Sequence, residues 1–266
     1  MFSFRDGLTM LKSRWTAKLL LFLAAGAACG QTVVRVAAAA DLEPVLPALL
    51  DEFHRSTGIR AEATYQASAT LTAQMENGAP FDVFLSADMS YPQRLIDAGL
   101  ALGAAGARTP TLYARGTLVL WTRNDSGLGA PALALLKSPA LQRLAIANPE
   151  RAPYGRAAVA ALTRLGLYDT LKTRLVIATN IAQAAQFADS GNADAGLISL
   201  TSAQTDRLKS SGTYFIIPRD LYPPIEQGSA ILSRTQARAA AEKLLAFLLS
   251  TPVQAELKQH GLEPAR

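Results

Sequence analysis

From Val33 onward the chain repeats one unit: a short β-branched or apolar run, a small or polar turn, then a longer stretch whose apolar residues follow helical spacing. "VVRVAAAA" leads into "DLEPVLPALLDEFHRSTG", where Leu42, Val45, Leu46, Leu49, Leu50 and Phe53 fall on one helical face. "IRAEATYQ" leads into "SATLTAQMENG", and "FDVFLSAD" into "MSYPQRLIDAG". Later units are "LAIANP" with "YGRAAVAALTRLG", "RLVIAT" with "NIAQAAQFADSG", and "AGLISL" with "TSAQTDRLKSSG". Gly58, Gly78, Gly99, Gly166, Gly191 and Gly212 each follow a helical stretch, where a glycine that ends the helix is expected. Strands alternating with helices predict a doubly wound, largely parallel α/β architecture.

Two segments depart from the pattern. "TLYARGTLVLWTR" reads as one long strand near the middle of the chain, and "YPPIEQGSAILS" as another after a proline-rich turn. Two extended crossings between α/β halves predict a two-lobed clamshell with its cleft between the lobes. The expected division is a leader over 1–30, one lobe from 31–115 plus 226–266, and a second lobe over 116–225. No fixed-period repeat or low-complexity linker interrupts it.

The leader has the form of a secretory signal: Arg5, Lys12, Arg14 and Lys18, then the apolar run "LLLFLAAGAA" and small residues. That run is shorter than the roughly 20 apolar residues of a membrane span. The lone cysteine, Cys29, follows Ala27 and Ala28, a partial match to a lipidation site, so a lipid tether is one outcome and removal with the signal the other. No second cysteine exists to form a disulfide. The formal charge is +5, but four basic residues and one acidic residue lie within 1–30, which leaves +2 on the rest. With no Lys/Arg block interleaved with aromatics, nucleic acid is not an expected partner.

In open α/β sheets ligands sit beyond the carboxyl ends of the strands, where helices begin. The turns there carry Ala40-Asp41, Ser68, Tyr154-Gly155, Asn180-Ile181 and Ser199. They are small or polar, not lysine-rich, so free backbone N–H groups at helix starts are the available anion donors. Ser68 and Asn180 also suit plain helix N-caps. Catalytic sets are poor. His54 sits in the first long helix and His260 near the end, there is no G-x-S-x-G elbow or phosphate loop, and Asp82 and Asp88 lie at opposite ends of one strand-turn. Two distant histidines and one leader cysteine make no metal-ligand set.

Taken together, "AAADL", "ASATLTAQMENGAPFDVFLSAD", "GTLVLW", "NPERAPYGRAA" and "GNADAGLISL" resemble the periplasmic molybdate-binding proteins of bacterial ABC transporters, from about Val33 to Pro264. The resemblance implies a two-lobed periplasmic solute-binding fold that closes on molybdate or tungstate. It also implies a monomer that uses no cofactor, catalyses nothing and serves a membrane permease. The family's ligand positions fall on Ala40, Asp41, Ser68, Tyr154, Ile181 and Ser199. Tyr154 and Ile181 would act mainly through backbone N–H groups. Ser199 matches a position that some members fill with a tyrosine hydroxyl and others leave silent.

Asp41 departs from the family, which places serine, threonine or asparagine at this turn. Molybdate is a dianion that carries no proton at neutral pH, so every ligand contact must be a donor, each charge-assisted bond contributing roughly 1.5–3 kcal/mol. An ionised carboxylate ~4 Å away, at an effective dielectric near 20, would repel it by roughly 8 kcal/mol. Three arrangements relieve this. Asp41 caps its own helix, or a cation such as Arg156 pairs with it, or the ligand carries a proton that Asp41 accepts. The last would suit another oxyanion or a small organic acid. An enzyme or a sensor domain on the same fold is the remaining reading.

Overall fold

The computed structural model describes residues 33–265, so the leader and Cys29 lie outside the described residues. The first half runs β1 (Val33–Ala39), α1 (Leu46–Thr57), β2 (Arg60–Gln66), α2 (Ser68–Glu76), β3 (Val83–Ser86), α3 (Ser90–Asp97), β4 (Ala101–Leu102) and β5 (Thr111–Gly116). The middle holds β6 (Leu118–Arg123), β7 (Leu144–Ala147), α4 (Pro153–Arg164), α5 (Tyr168–Leu171), β8 (Leu175–Ala178), α6 (Ile181–Asp189), β9 (Ala195–Ser199), α7 (Leu200–Ala203), α8 (Asp206–Ser211) and β10 (Gly212–Ile216). The chain closes with β11 (Ile225–Leu232), α9 (Arg238–Leu248), α10 (Thr251–Gln259) and β12 (Glu263–Pro264).

These strands form a seven-stranded sheet, in the order β12-β5-β11-β3-β1-β2 with β4 beside β11, and a five-stranded sheet, β10-β6-β9-β7-β8. In the first, β1 lies between parallel β2 and β3, with Val36 opposite Ala63 and Val83. Both faces of such a strand are covered, which explains why "VAAAA" has no polar alternation. Val34, Val36 and Ala38 pack with α1 and α9, while Ala37 faces the cluster of Leu71, Met75, Leu95 and Ile96 from α2 and α3.

Each sheet is mixed, not largely parallel. The parallel trio β2-β1-β3 is flanked by antiparallel β11, and the trio β8-β7-β9 by antiparallel β6. The intruding strands belong to the two crossings.

The run "TLYARGTLVLWTR" is two strands in different sheets, broken at Thr117. The break falls where a Cβ on Gly116 would lie 2.2 Å from the Tyr154 hydroxyl oxygen. The expected first helix is also divided: a 3-10 turn covers Ala40–Leu42, and α1 begins only at Leu46. Pro44 and Pro47 lack the N–H groups that a continuous helix would need. Five of the six expected helix-ending glycines have φ between 69° and 93°. Gly212 does not; its φ is −163°, and it opens β10. Its small size serves packing, because a Cβ there would lie 2.2 Å from the buried Trp121 ring.

Candidate functional site

One small cavity lies where the carboxyl ends of β1, β2, β3, β7 and β8 meet the helices that follow. Ala40, Asp41, Ser68, Tyr154 and Ile181 all line it, together with Gln66, Ala67, Ala87, Ala152, Pro153 and Asn180. None of these is a lysine or arginine. Ser199 is not among the lining residues: its Oγ accepts from the Ser202 N–H at 3.2 Å and so caps α7.

Three helices bring their first turns to the cavity. α2 starts at Ser68, α4 at Pro153 and α6 at Ile181, and first-turn N–H groups have no partner within their own helix. Proline suits the start of α4 because it removes a donor the helix leaves unused. Asn180 is an N-cap, accepting from the Gln183 N–H at 2.9 Å. Ser68 is not one; Ala67 holds the cap position. The Ser68 Oγ accepts from the Ala87 N–H at 3.1 Å, which leaves its O–H for an acceptor in the cavity.

Asp41 is fully buried, and neither the cap nor the arginine pair holds it there. No side chain caps the 3-10 turn or α1. Arg156 bonds instead to the Asp88 carboxylate and to the Tyr91 hydroxyl, 3.0 Å away, with its guanidinium 5.4 Å from the Tyr91 ring centre. Asp41 Oδ2 accepts from the Tyr154 hydroxyl at 3.1 Å and from the Gln227 amide. Oδ1 has no partner. Burial pushes the carboxyl up from 3.8 to about 6, opposed by the bonds from Gln227, Tyr154 and its own amide. The same burial, with the Asp41 charge added, holds the Tyr113 and Tyr154 hydroxyls well above their usual range.

Gln227 was not foreseen. It is a fully buried polar residue on β11, beside a register shift between Gln227 and Gly228. Such a bulge re-aims side chains next to sites. A glutamine inside "IEQGSAIL" was the only sequence trace of it. Further ties cross from one sheet's elements to the other's: the Ala69 N–H donates to the Arg151 carbonyl at 3.1 Å, and Arg156 reaches Asp88. The other features singled out from sequence lie elsewhere. Asp82 binds the Arg35 N–H and the Thr235 hydroxyl, and His54 is half-buried in α1. Among the described residues, no cluster of three or more His, Cys, Asp or Glu could hold a metal ion, and no helix is long and apolar enough to cross a membrane.

A cavity ringed by helix starts, with donors but no catalytic set, fits a binder of small anions. Residues 34–263 match the model of the bacterial extracellular solute-binding proteins. The chain belongs to that family. This solute-binding protein is 36% identical over 248 residues to the molybdate-binding protein ModA of Azotobacter vinelandii, covering 92% of this chain and 96% of that one. To the molybdate-binding protein ModA of Rhodobacter capsulatus it is 37% identical, over 90% of each chain. The solved periplasmic molybdate-binding protein of Azotobacter vinelandii superposes with a TM-score of 0.78 at 32% identity, over 86% of this chain and 98% of that one. The fold is the two-lobed α/β fold of periplasmic binding proteins, and this solute-binding protein is not an enzyme.

Proposed function

We propose that this solute-binding protein captures molybdate or tungstate in the cavity at Asp41 and Ser68 and hands it to an ABC permease. The observation that carries the proposal is the meeting of three helix starts and a free serine hydroxyl in a cavity without cationic side chains. Such a site suits a dehydrated tetrahedral anion, because donors placed for its oxygens would be left unpaired around a ligand of another shape. The identity of 36% and 37% to two molybdate-binding proteins over nine-tenths of the chain supports the choice of anion. In this proposal the ligand contacts are the Ser68 hydroxyl, backbone groups at Ala40, Asp41, Tyr154 and Ile181, and the Asp41 carboxyl. Ser199 acts from behind, as the cap of α7.

The two sheets are proposed as the cores of two lobes, 31–115 plus 226–266 and 116–225, that open at the crossings near Thr117 and Ile225. The protein would work as a periplasmic monomer, free or tethered through Cys29. A second oxyanion class has one observation for it. A hydrogen phosphate-like anion or a small organic acid would bring its own proton to the unpartnered Asp41 Oδ1. Calorimetric titration with molybdate, tungstate, sulfate and phosphate tests both. Saturable binding of molybdate and tungstate over sulfate and phosphate is expected, and binding of phosphate alone would replace the first proposal with the second.

A further inference from the structure

The Asp41–Gln227 pair is short of hydrogens. Asp41 Oδ2 takes the two side-chain donors, while Asp41 Oδ1 and Gln227 Oε1 are buried acceptors with no hydrogen-bond partner. A buried acceptor without a donor is costly, and a carboxylate beside a bound dianion more so. A single proton on Oδ1 relieves Asp41 of both difficulties: it turns that acceptor into a donor and cancels the repulsion, while Gln227 Oε1 stays unpaired. Resting on the oxyanion reading above, we infer that ligand capture is coupled to uptake of one proton by Asp41, whose neutral carboxyl donates from Oδ1 to the anion. Loss of that proton weakens binding.

The surroundings leave the proton no rival. Tyr154 from α4 and Tyr113 from β5 stay neutral, and Gln227 is the group that β11 offers. Of the arginines on the elements around this turn, Arg35 of β1 pairs with Asp82, Arg115 of β5 with Glu226 of β11, and Arg156 of α4 with Asp88, while Arg151, just before α4, forms no ion pair among the described residues. Arg164, at the far end of α4, bonds to the Asp220 carbonyl. Asp189 of α6 pairs with Arg207, and α7 carries no titratable group. On β2, Arg60 and Glu62 are exposed, and Tyr65 is raised to about 12 by its burial and the nearby Glu43. No cation offsets the burial of Asp41, and that burial alone holds its carboxyl up, at about 6. The free protein at neutral pH is therefore mostly ionised at Asp41 and must gain a proton when the dianion enters.

Calorimetry of molybdate binding to the full protein tests this, from about pH 5 to about pH 8.5, in paired buffers of different ionisation enthalpy. The dissociation constant should be flat at low pH and rise about tenfold per pH unit above the Asp41 transition, with close to one proton taken up per anion at about pH 8. Asp41→Asn should bind molybdate with no such slope. The proton count on the wild-type protein needs no variant, so a misfolded Asp41→Asn would not blunt the test. Binding without pH dependence or proton uptake overturns the coupling and leaves the oxyanion function standing. A slope retained in Asp41→Asn puts the proton elsewhere and also overturns it. Failure of wild-type protein and folded variant alike to bind molybdate at any pH overturns the oxyanion reading, and the coupling with it.

Discussion

The Tyr154 hydroxyl, at the start of α4 beyond the five-stranded sheet, donates to Asp41 Oδ2, beyond the seven-stranded sheet, at 3.1 Å. It joins the two halves of the fold through the group that most affects the charge of the cavity. Removing it in Tyr154→Phe leaves Gln227 as the one side-chain donor on a buried carboxylate. The expected loss of stability is about 1.5–3 kcal/mol where Asp41 is ionised, the usual worth of a hydrogen bond to a charged group. Urea unfolding at about pH 5 and pH 8 should show a larger loss at the higher pH, since a neutral carboxyl makes a weaker bond. An equal loss at both would mean that Asp41 keeps one protonation state throughout.

Asp41 also sets how stability follows pH. Its folded pKa, about 6, lies above its ordinary 3.8, so between those values the folded state holds the proton more tightly than the unfolded chain does. Stability from this group is complete below the lower value and is lost as pH rises through the upper one. The loss amounts to about 3 kcal/mol. Subtracting the Asp41→Asn unfolding curve from the wild-type curve across that range isolates it. A difference that grew in the opposite direction would mean a cation holds the carboxylate.

Arg156 ties α4 to the start of α3 by reaching Asp88 and lying over Tyr91. Its side chain is 40% exposed, so the ion pair should contribute no more than about 1 kcal/mol, with a further ~0.5 kcal/mol from the ring. Arg156→Ala is therefore expected to speed oxyanion release by roughly three- to tenfold while barely moving the melting temperature. Stopped-flow dissociation of molybdate reads this directly. An unchanged release rate would show that the contact does not hold the closed form.

Gly116 lies at the first crossing, against the Tyr154 hydroxyl. A methyl group there must push the ring away, and overpacking of this kind costs about 1–3 kcal/mol. Gly116→Ala should weaken both stability and ligand affinity, because the displaced hydroxyl no longer reaches Asp41. Combining it with Tyr154→Phe should cost less than the sum of the two, since both act through one contact. Strict additivity in a double-mutant cycle would contradict that link.

Much of this was legible in the sequence, and what was not has physical reasons. The strand–turn–helix rhythm placed Asp41, Ser68, Tyr154 and Ile181 at turns, because helix starts and apolar runs are local signals. The charge of Asp41 marked it as anomalous before its surroundings were known. The surroundings themselves are non-local: Gln227 stands 186 residues from Asp41, and only the pairing of β11 within the seven-stranded sheet brings it there. Sequence spacing carries no record of that register. Nor does it reveal that Thr117 separates two sheets, because "TLYARGTLVLWTR" has strand propensity throughout and breaks only where Tyr154 arrives from elsewhere.

The most direct test is a crystal structure with molybdate bound, in which the metal is located by its anomalous scattering. One peak should lie in the cavity, with oxygens within hydrogen-bonding distance of the Ser68 hydroxyl, the Tyr154 and Ile181 amides and Asp41 Oδ1. A peak anywhere else on the molecule, or an empty cavity at saturating molybdate, would contradict the account.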